Sequence, residues 1–263
     1  MQIFQRSDPS TQIVGEAAGI AQFASRVVSM LAERHSVTEG APREALLNNL
    51  IEAALSGRPN HFEAVLTEMR QSRVSVAALA DIYIPHAARK LGEDWMEDTI
   101  SWMDVSIAVA RLQSLLREIG LAWHADHSGD TGQGAVLMII PDREQHTLGA
   151  MVAMAQMRRY GVSVCLRICP TLEELRSLVA SRGFDGVMIS VGLRENIDAV
   201  AKLVRQVKEM ANPPLPVVIG GAITQSRGDV AVCTGADLST NDIGAALEVV
   251  GLKFNAFCIL KRA

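Results

Sequence analysis

Strand-like and helix-like stretches alternate five times between residues 134 and 252, and this alternation limits the fold more than any other feature of the chain. The apolar runs predict strands near 135–141, 162–168, 185–191, 216–220 and 236–239. The amphipathic stretches that follow them predict helices near 148–160, 172–183, 196–211, 223–233 and 243–250. Such alternation predicts a five-stranded parallel sheet of the Rossmann-like (flavodoxin-like) kind, with helices on both faces and right-handed crossovers.

The part of the chain before this alternation is expected to be helical. Apolar residues recur there every three to four positions, as at Leu46, Leu50 and Ala54. They predict one helix in an N-terminal extension and four more in a compact bundle, near 14–34, 43–56, 60–73, 75–92 and 102–119. A stretch at about 124–134 is rich in Gly, Ser, Asp and His, as linkers are. The expected parts are an N-terminal extension with a helix (1–42), a helical bundle cap (43–123) and an α/β domain (134–252).

The composition narrows the classes of function. A net charge of −4 and a pI near 5.9 argue against a dedicated nucleic-acid binder. No apolar run approaches the roughly 20 residues that span a bilayer, and the first residues are polar, so we expect a cytoplasmic protein without membrane contact. No Cys-x-x-Cys pair occurs, so we expect neither a zinc ribbon nor a thioredoxin-like redox site. Neither a Ser-His-Asp order nor a phosphate-binding Gly-Lys motif stands out, so we expect neither hydrolysis nor phosphoryl transfer, and we expect a protein that is not an enzyme.

The loop after the first predicted strand contains the candidate metal ligand. His146 lies in this loop, two residues after Glu144 and three residues before Gly149. A neutral imidazole suits a borderline transition metal such as cobalt. A carboxylate at the other ring nitrogen would fix the tautomer and make the imidazole a better ligand. The sequence therefore predicts that His146 binds a metal and that Glu144 orients it.

Further polar and glycine residues follow the other predicted strands. Ser190 ends the third strand, Gly220 and Gly221 end the fourth, and Thr240 follows the fifth. In a parallel sheet the carboxyl ends of the strands lie along one edge, where ligands bind. We therefore expect these residues to share one binding site with His146.

These residues resemble the signature of cobalamin-binding domains. The loop matches Asp-x-His-x-x-Gly with Glu144 in place of the aspartate, and the third strand matches Ser-x-Leu with Gly192 in place of the leucine. The resemblance implies that His146 binds cobalt and displaces the cofactor's own base. It implies also that Gly149 lets the corrin ring lie close to the backbone and that Ser190 contacts the displaced base. Gly220 and Gly221 would leave a slot for the nucleotide tail.

The helical half contains a second resemblance. The segment from Lys90 to Val105 is similar to the helical cap of cobalamin-dependent methyl carriers and photoreceptors, in which a tryptophan after Leu-Gly-x-x shields the upper ligand. Trp95 matches that tryptophan and could cover the planar macrocycle. Met96 stands where light-sensing repressors have a histidine, so a second axial histidine is not expected. We interpret Trp102 as a core residue of the helix pair.

The string from Lys90 to Gln113 closely resembles the PpaA/AerR antirepressors of photosynthesis genes, and the likeness extends over about residues 43 to 252. It implies a light-responsive transcriptional regulator that binds hydroxocobalamin or adenosylcobalamin. The implied partner is a transcriptional repressor of the PpsR/CrtJ type, with DNA contacted only through that partner. Light could break an alkylcobalamin's cobalt–carbon bond and shift a two-state cap.

Three other functions stay open at this point. A corrinoid methyl-carrier subunit of a methyltransferase would use His146 in the same way. A redox sensor that binds haem is a second alternative, because imidazole also ligates haem iron; the glycine slot and the serine suit a nucleotide tail better. The third is an α/β binding module without a metal.

Overall fold

The structure of the protein is a computed structural model that describes residues 41–125, 134–142, 144, 146–192, 197–226 and 229–252. These residues belong to two compact units, one that ends at Ala125 and one that begins after it. The helix predicted near 14–34 and most of the predicted linker lie outside the described residues. Each unit is therefore considered by itself.

The first unit is helical, as predicted. Its elements are α1 (Glu44–Ser56), α2 (Pro59–Gln71), α3 (Val76–Ala78), a π-helical turn (Leu79–Tyr83), α4 (Ile84–Met96) and α5 (Trp102–Ala125). Gly57 ends α1 in the left-handed conformation, and Pro59 begins α2, the position where proline's fixed φ suits a helix. Leu50, Leu91 and Leu112 are fully buried, so the apolar faces of α1, α4 and α5 form the core.

The helical stretch from Val76 continues further than the sequence predicted. It was expected to end near residue 92, but α4 ends at Met96. Pro85 is the second residue of α4 and lies just after the π-helical turn, where the regular hydrogen-bond pattern of the α-helix is already interrupted. Proline has no backbone N–H to donate, so it fits at this interruption. Asp98 stops the helix in the left-handed conformation, with Thr99 N–H bonded to the Asp94 carbonyl and Asp98 N–H bonded to the Trp95 carbonyl.

The second unit is a five-stranded parallel sheet with helices between the strands, which confirms the predicted fold class. Its strands are β1 (Ala135–Ile140), β2 (Ser163–Ile168), β3 (Gly186–Ser190), β4 (Val217–Gly220) and β5 (Leu238–Ser239). Its helices are α6 (Leu148–Arg159), α7 (Leu172–Ser181), α8 (Ile197–Lys208), α9 (Ile223–Ser226), α10 (Val230–Thr234) and α11 (Ile243–Val249). The strand order is β2-β1-β3-β4-β5.

Alternate residues of the central strands serve two separate cores. Leu137 and Ile139 of β1 face one core, with Leu175 of α7 and residues of α8. Val136 and Ile140 of β1 face the other, with residues of α6 and α11. Because both faces of the sheet are covered, the strands are apolar at nearly every position rather than at every second one.

One stretch that was predicted as a single helix forms two short helices in the structure. The stretch expected as a helix near 223–233 forms the short helices α9 and α10, and Asp229 caps the second by accepting a hydrogen bond from Val232 N–H. Asp is favoured as an N-cap because its side chain satisfies an amide that the helix leaves unpaired. The sequence signal for a helix start was therefore present inside the predicted helix. Among the described helices, none is both long enough and apolar enough to cross a membrane.

Asp237 links strand β4 to the end of α8 through two hydrogen bonds. Its carboxylate accepts a hydrogen bond from Val217 N–H at 2.7 Å and from Lys208 Nζ at 2.8 Å. Partial burial raises the pKa of the Asp237 carboxyl, but the hydrogen bonds from Lys208 and from the Val217 amide outweigh it, so the pKa lies below its ordinary value. A depressed pKa in the folded state means that ionised Asp237 stabilises the fold.

We predict that Asp237→Ala lowers the free energy of unfolding by about 1–3 kcal/mol at neutral pH, because the buried Val217 amide loses its acceptor. The pH-dependent part of this contribution is present above the carboxyl's unfolded pKa of about 3.9 and is lost as the pH falls through the lower folded value. Urea unfolding across that range measures it, with exposed Glu209→Ala as the control. Equal stabilities of the variant and the wild type at neutral pH would contradict the prediction.

Candidate functional site

The strand order places the candidate site at one edge of the sheet. β1 lies between β2 and β3, so the chain leaves β1 in one direction and reaches β3 in the other. In open α/β sheets this reversal of strand order opens a crevice at the carboxyl ends of the two strands, and ligands bind there. The loop with Glu144 and His146 follows β1, and Ser190 and Gly192 follow β3. The structure thus places the loop with Glu144 and His146 and the end of β3, with Ser190 and Gly192, at the same edge of the sheet.

Glu144 and His146 form a hydrogen-bonded pair. Glu144 Oε1 lies 2.8 Å from His146 Nδ1 and also accepts a hydrogen bond from His146 N–H at 2.6 Å. The two side chains differ strongly in exposure: 4% for Glu144 and 88% for His146. The backbone bond fixes the loop and the ring bond fixes the imidazole, both through one carboxylate oxygen.

The pair determines which ring nitrogen can bind a metal. An ionised carboxylate can only accept, so Nδ1 must carry the proton in this contact. In the neutral ring, Nε2 is then unprotonated and has a lone pair, and it lies on the side of the ring away from Glu144. Glu144 and His146 thus lie in contact, and the role of Glu144 in orienting a metal ligand stays a prediction.

Gly192 lies directly against the Glu144 carboxylate. A Cβ atom at residue 192 would be 2.1 Å from Glu144 Oε2 and 3.0 Å from its Cδ. Gly192 is buried, and its φ is outside the left-handed region. The space for the carboxylate therefore depends on the missing side chain at residue 192.

Close contacts with neighbouring backbone explain why residues 220 and 221 are glycines. Gly221 has φ 101°, and a Cβ there would lie 2.4 Å from the Val191 carbonyl oxygen. A Cβ at Gly220 would be 3.2 Å from the Thr240 carbonyl oxygen. The two glycines thus let the ends of β3, β4 and β5 approach one another closely, which the sequence analysis did not predict.

Asn241 was missed by the sequence analysis. Its Oδ1 accepts a hydrogen bond from Gly221 N–H at 2.7 Å, and its Nδ2 donates to Thr224 Oγ1 at 2.7 Å. Asn241 therefore holds the glycine turn from the neighbouring strand end, one residue after the predicted Thr240. Its place in a Thr-Asn-Asp turn after an apolar strand was the available signal.

Ser190 and Gly149 are placed differently from each other. Ser190 ends β3 opposite Gly220 of β4 and is half-buried. Gly149 is exposed near the start of α6, and a Cβ there would meet no protein atom within 4 Å. Among the described residues, neither close contacts nor backbone conformation requires a glycine at residue 149, which leaves room for an approach from outside.

The two tryptophans of interest belong to the helical unit. Trp95 lies in the last turn of α4 and is 41% exposed, whereas Trp102 begins α5 and is 66% exposed. The interpretation of Trp102 as a core residue is wrong, because the first turn of α5 directs it to the surface. Met96, Met103 and Ile107 are also exposed, so α4 and α5 present an apolar surface around these residues.

No group of three or more His, Cys, Asp or Glu side chains that could hold a metal occurs among the described residues. Within that part of the chain, a metal at His146 would have fewer than three such protein ligands. The remaining ligands would have to come with the metal.

Comparison with known proteins agrees with this geometry. A family model described as the B12 binding domain matches residues 134–241. An uncharacterized 20.5 kDa protein in the bchF–crtJ intergenic region of Rhodobacter capsulatus is 38% identical over 191 residues, which are 73% of this chain and 100% of that protein. The monomethylamine corrinoid protein of Methanosarcina barkeri has a TM-score of 0.58 at 11% identity, over 78% of this chain and 94% of its own. The last similarity shows a shared fold.

Proposed function

We propose that this chain, which belongs to the family of B12-binding-domain proteins, binds a cobalamin through His146 and acts as a transcriptional regulator through a protein partner. The observation on which the cofactor half depends is the Glu144–His146 pair. It combines an exposed imidazole with a buried carboxylate oxygen that lies 2.8 Å from Nδ1. Such an arrangement presents an unprotonated nitrogen to a metal that approaches from solvent.

The residues fit a metal that arrives within a macrocycle. A protein that binds a bare metal ion commonly supplies three or four ligands. The described residues offer no group of three or more such side chains, and His146 is 88% exposed. When bound, a cobalamin supplies a cobalt ion held by its corrin ring and, with an alkyl upper ligand, a cobalt–carbon bond that light can break. His146 would be the side chain that holds the cobalt, and Glu144 would keep the imidazole oriented before the cofactor arrives.

The surroundings of His146 suit a large planar group. Gly149 leaves open space beside the start of α6, where a ring could lie near the backbone. Ser190 is half-buried at the end of β3 and is proposed to contact the displaced base. Gly220, Gly221 and Thr240 are proposed to border the nucleotide tail. Trp95 is assigned to the upper face on its resemblance to the cap tryptophan alone.

The regulatory half of the proposal is supported by the Rhodobacter capsulatus relative, whose description places it between bchF and crtJ. That location agrees with the resemblance of this chain to PpaA/AerR antirepressors. The proposed partner is a repressor of the PpsR/CrtJ type, and the net charge of −4 favours contact with DNA through that partner only. The proposed input is light that breaks the cobalt–carbon bond of adenosylcobalamin, and hydroxocobalamin is the other form of the cofactor that the protein is proposed to bind.

A corrinoid methyl carrier is the second candidate. The fold shared with the monomethylamine corrinoid protein favours it, and both functions would use His146 in the same way. The two functions differ in what the loaded protein does. A carrier gives up a methyl group to a second substrate, whereas a regulator changes its affinity for a partner.

We predict that hydroxocobalamin mixed with the purified protein shows the absorbance spectrum of histidine ligation, and that His146→Ala abolishes this spectrum. The reason is that His146 is the one residue whose ring nitrogen is held outward at the site. His61→Ala is the matched control, because it removes a histidine from the helical unit instead. A wild-type protein that retains no corrinoid would refute the proposal, and a haem titration of the same sample would then test the haem alternative.

Gly149→Ala should separate stability from binding. We predict a melting temperature equal to or slightly above that of the wild type, because alanine favours the helix and has free space at this position. Cobalamin affinity should fall by about tenfold, because the added methyl group keeps the ring from the backbone. Thermal unfolding and an absorbance titration measure the two effects. Unchanged affinity would remove Gly149 from the proposed site.

The regulator and the carrier can be separated with the loaded protein. We predict that the adenosylcobalamin complex changes its affinity for a PpsR/CrtJ-type repressor by at least about fivefold on illumination, the lower range of allosteric coupling. Surface plasmon resonance in the dark and after a light pulse measures this, and cobalamin-free protein is the control. Equal affinities, together with methyl transfer to a thiol acceptor from the methylcobalamin complex, would favour the carrier.

A further inference from the structure

Gly192 has no requirement for glycine other than space. It follows the end of β3, it is buried, and its backbone lies in a region that any residue adopts. The three heavy atoms nearest to a Cβ at this position all belong to Glu144: Oε2 at 2.1 Å, Cδ at 3.0 Å and Oε1 at 3.2 Å. The carboxylate group of Glu144 thus fills the volume that a side chain at residue 192 would take.

The two oxygens of that carboxylate have different neighbours. Oε1 accepts both hydrogen bonds from His146, one from the backbone N–H and one from Nδ1. Oε2 is the atom nearest to the absent side chain of Gly192. A group pushed away from Gly192 would rotate or retreat as a whole, so Oε1 could not keep both bonds at 2.6 and 2.8 Å.

We propose that Gly192 is a positioning residue: by having no side chain, it sets where the Glu144 carboxylate lies and thereby fixes the orientation of His146. The functional meaning of this inference rests on the proposed role of His146 as a cobalt ligand. The proposal gives Gly192, which stands in place of the leucine of the cobalamin-binding signature, a role toward Glu144. The contact links the loop after β1 with the end of β3, across the crevice between these strands.

The proposal predicts that the effect of a side chain at residue 192 depends on the length of the side chain at residue 144. Aspartate is one methylene shorter than glutamate, so its carboxylate would withdraw from the space beside Gly192. The test therefore uses four proteins: the wild type, Gly192→Ala, Glu144→Asp and the double variant. Gly183→Ala is the matched control, because a Cβ at Gly183 meets no protein atom within 4 Å.

The first measurement is made on cobalamin-free protein. Amide hydrogen exchange at His146, followed by NMR, reports the bond from its N–H to Glu144. We expect Gly192→Ala to accelerate this exchange about tenfold, as the loss of a hydrogen bond to a charged acceptor would. In the Glu144→Asp background the same substitution should change the rate by less than about twofold, and Gly183→Ala should leave it unchanged.

The second measurement is cobalamin affinity, with the fraction of histidine-ligated spectrum recorded at saturation. Gly192→Ala should weaken binding about 10- to 100-fold, the range found when the group that orients a metal ligand is removed. In the Glu144→Asp background the cost should again be less than about twofold. A cost of the same size in both backgrounds, or no cost with Glu144 present, would overturn the proposal.

The two measurements also separate this proposal from the proposed function. If the wild type binds no cobalamin but the exchange rates show the expected dependence on Glu144, the cofactor assignment fails and the positioning role stands. If Gly192→Ala does not fold while the double variant does, the same dependence is established. If both fail to fold and Gly183→Ala folds, Gly192 is needed for another reason and the proposal is overturned.

Discussion

The site depends on one carboxylate that is buried on one side and faces an exposed imidazole on the other. Burying an ionised group costs free energy unless hydrogen bonds compensate it, and Glu144 obtains two of these from His146 through one oxygen. The same contact holds the exposed ring of His146, which would otherwise sample many rotamers, in one orientation. The crevice between β1 and β3 makes this pairing possible, because it brings the loop after one strand against the end of the other.

The glycines around the site divide into two kinds. Gly192 and Gly221 are required by close contacts within the protein, with the Glu144 carboxylate and with the Val191 backbone respectively. Gly149 is next to open space, and no contact within the described chain explains it. Glycines of the first kind shape the site before any ligand arrives, whereas a glycine of the second kind is explained by what approaches from outside. Of the three, only Gly221 also needs the conformational freedom of glycine, because its φ is in the left-handed region.

Much of the fold was predictable from the sequence, because the apolar runs are short, well separated and followed by helix-like stretches. The errors lie where local signals compete. The Asp229 cap divides one predicted helix into two, and Trp102 is exposed because it begins a helix rather than facing its partner. For the candidate site, residue types and strand ends sufficed to predict that Glu144 pairs with His146. The contact between Glu144 and Gly192 could not be predicted, because it joins positions 48 residues apart through side-chain length. The same two positions are those at which the chain departs from the cobalamin-binding signature. Asn241 was missed for a similar reason, since its partners lie on the neighbouring strand.

The central claim is that Glu144 holds His146 with the proton on Nδ1 and leaves Nε2 free to bind a metal. Long-range proton–nitrogen NMR spectra of cobalamin-free protein with ¹⁵N-labelled histidine test this directly, in buffer alkaline enough for a neutral ring. The spectrum of His146→Ala assigns the signal among the six histidines of the chain. The account predicts a protonated Nδ1 and an unprotonated Nε2 at His146, and loss of this preference in Glu144→Ala. A proton on Nε2, or the averaged signals of an unrestrained histidine, would contradict it.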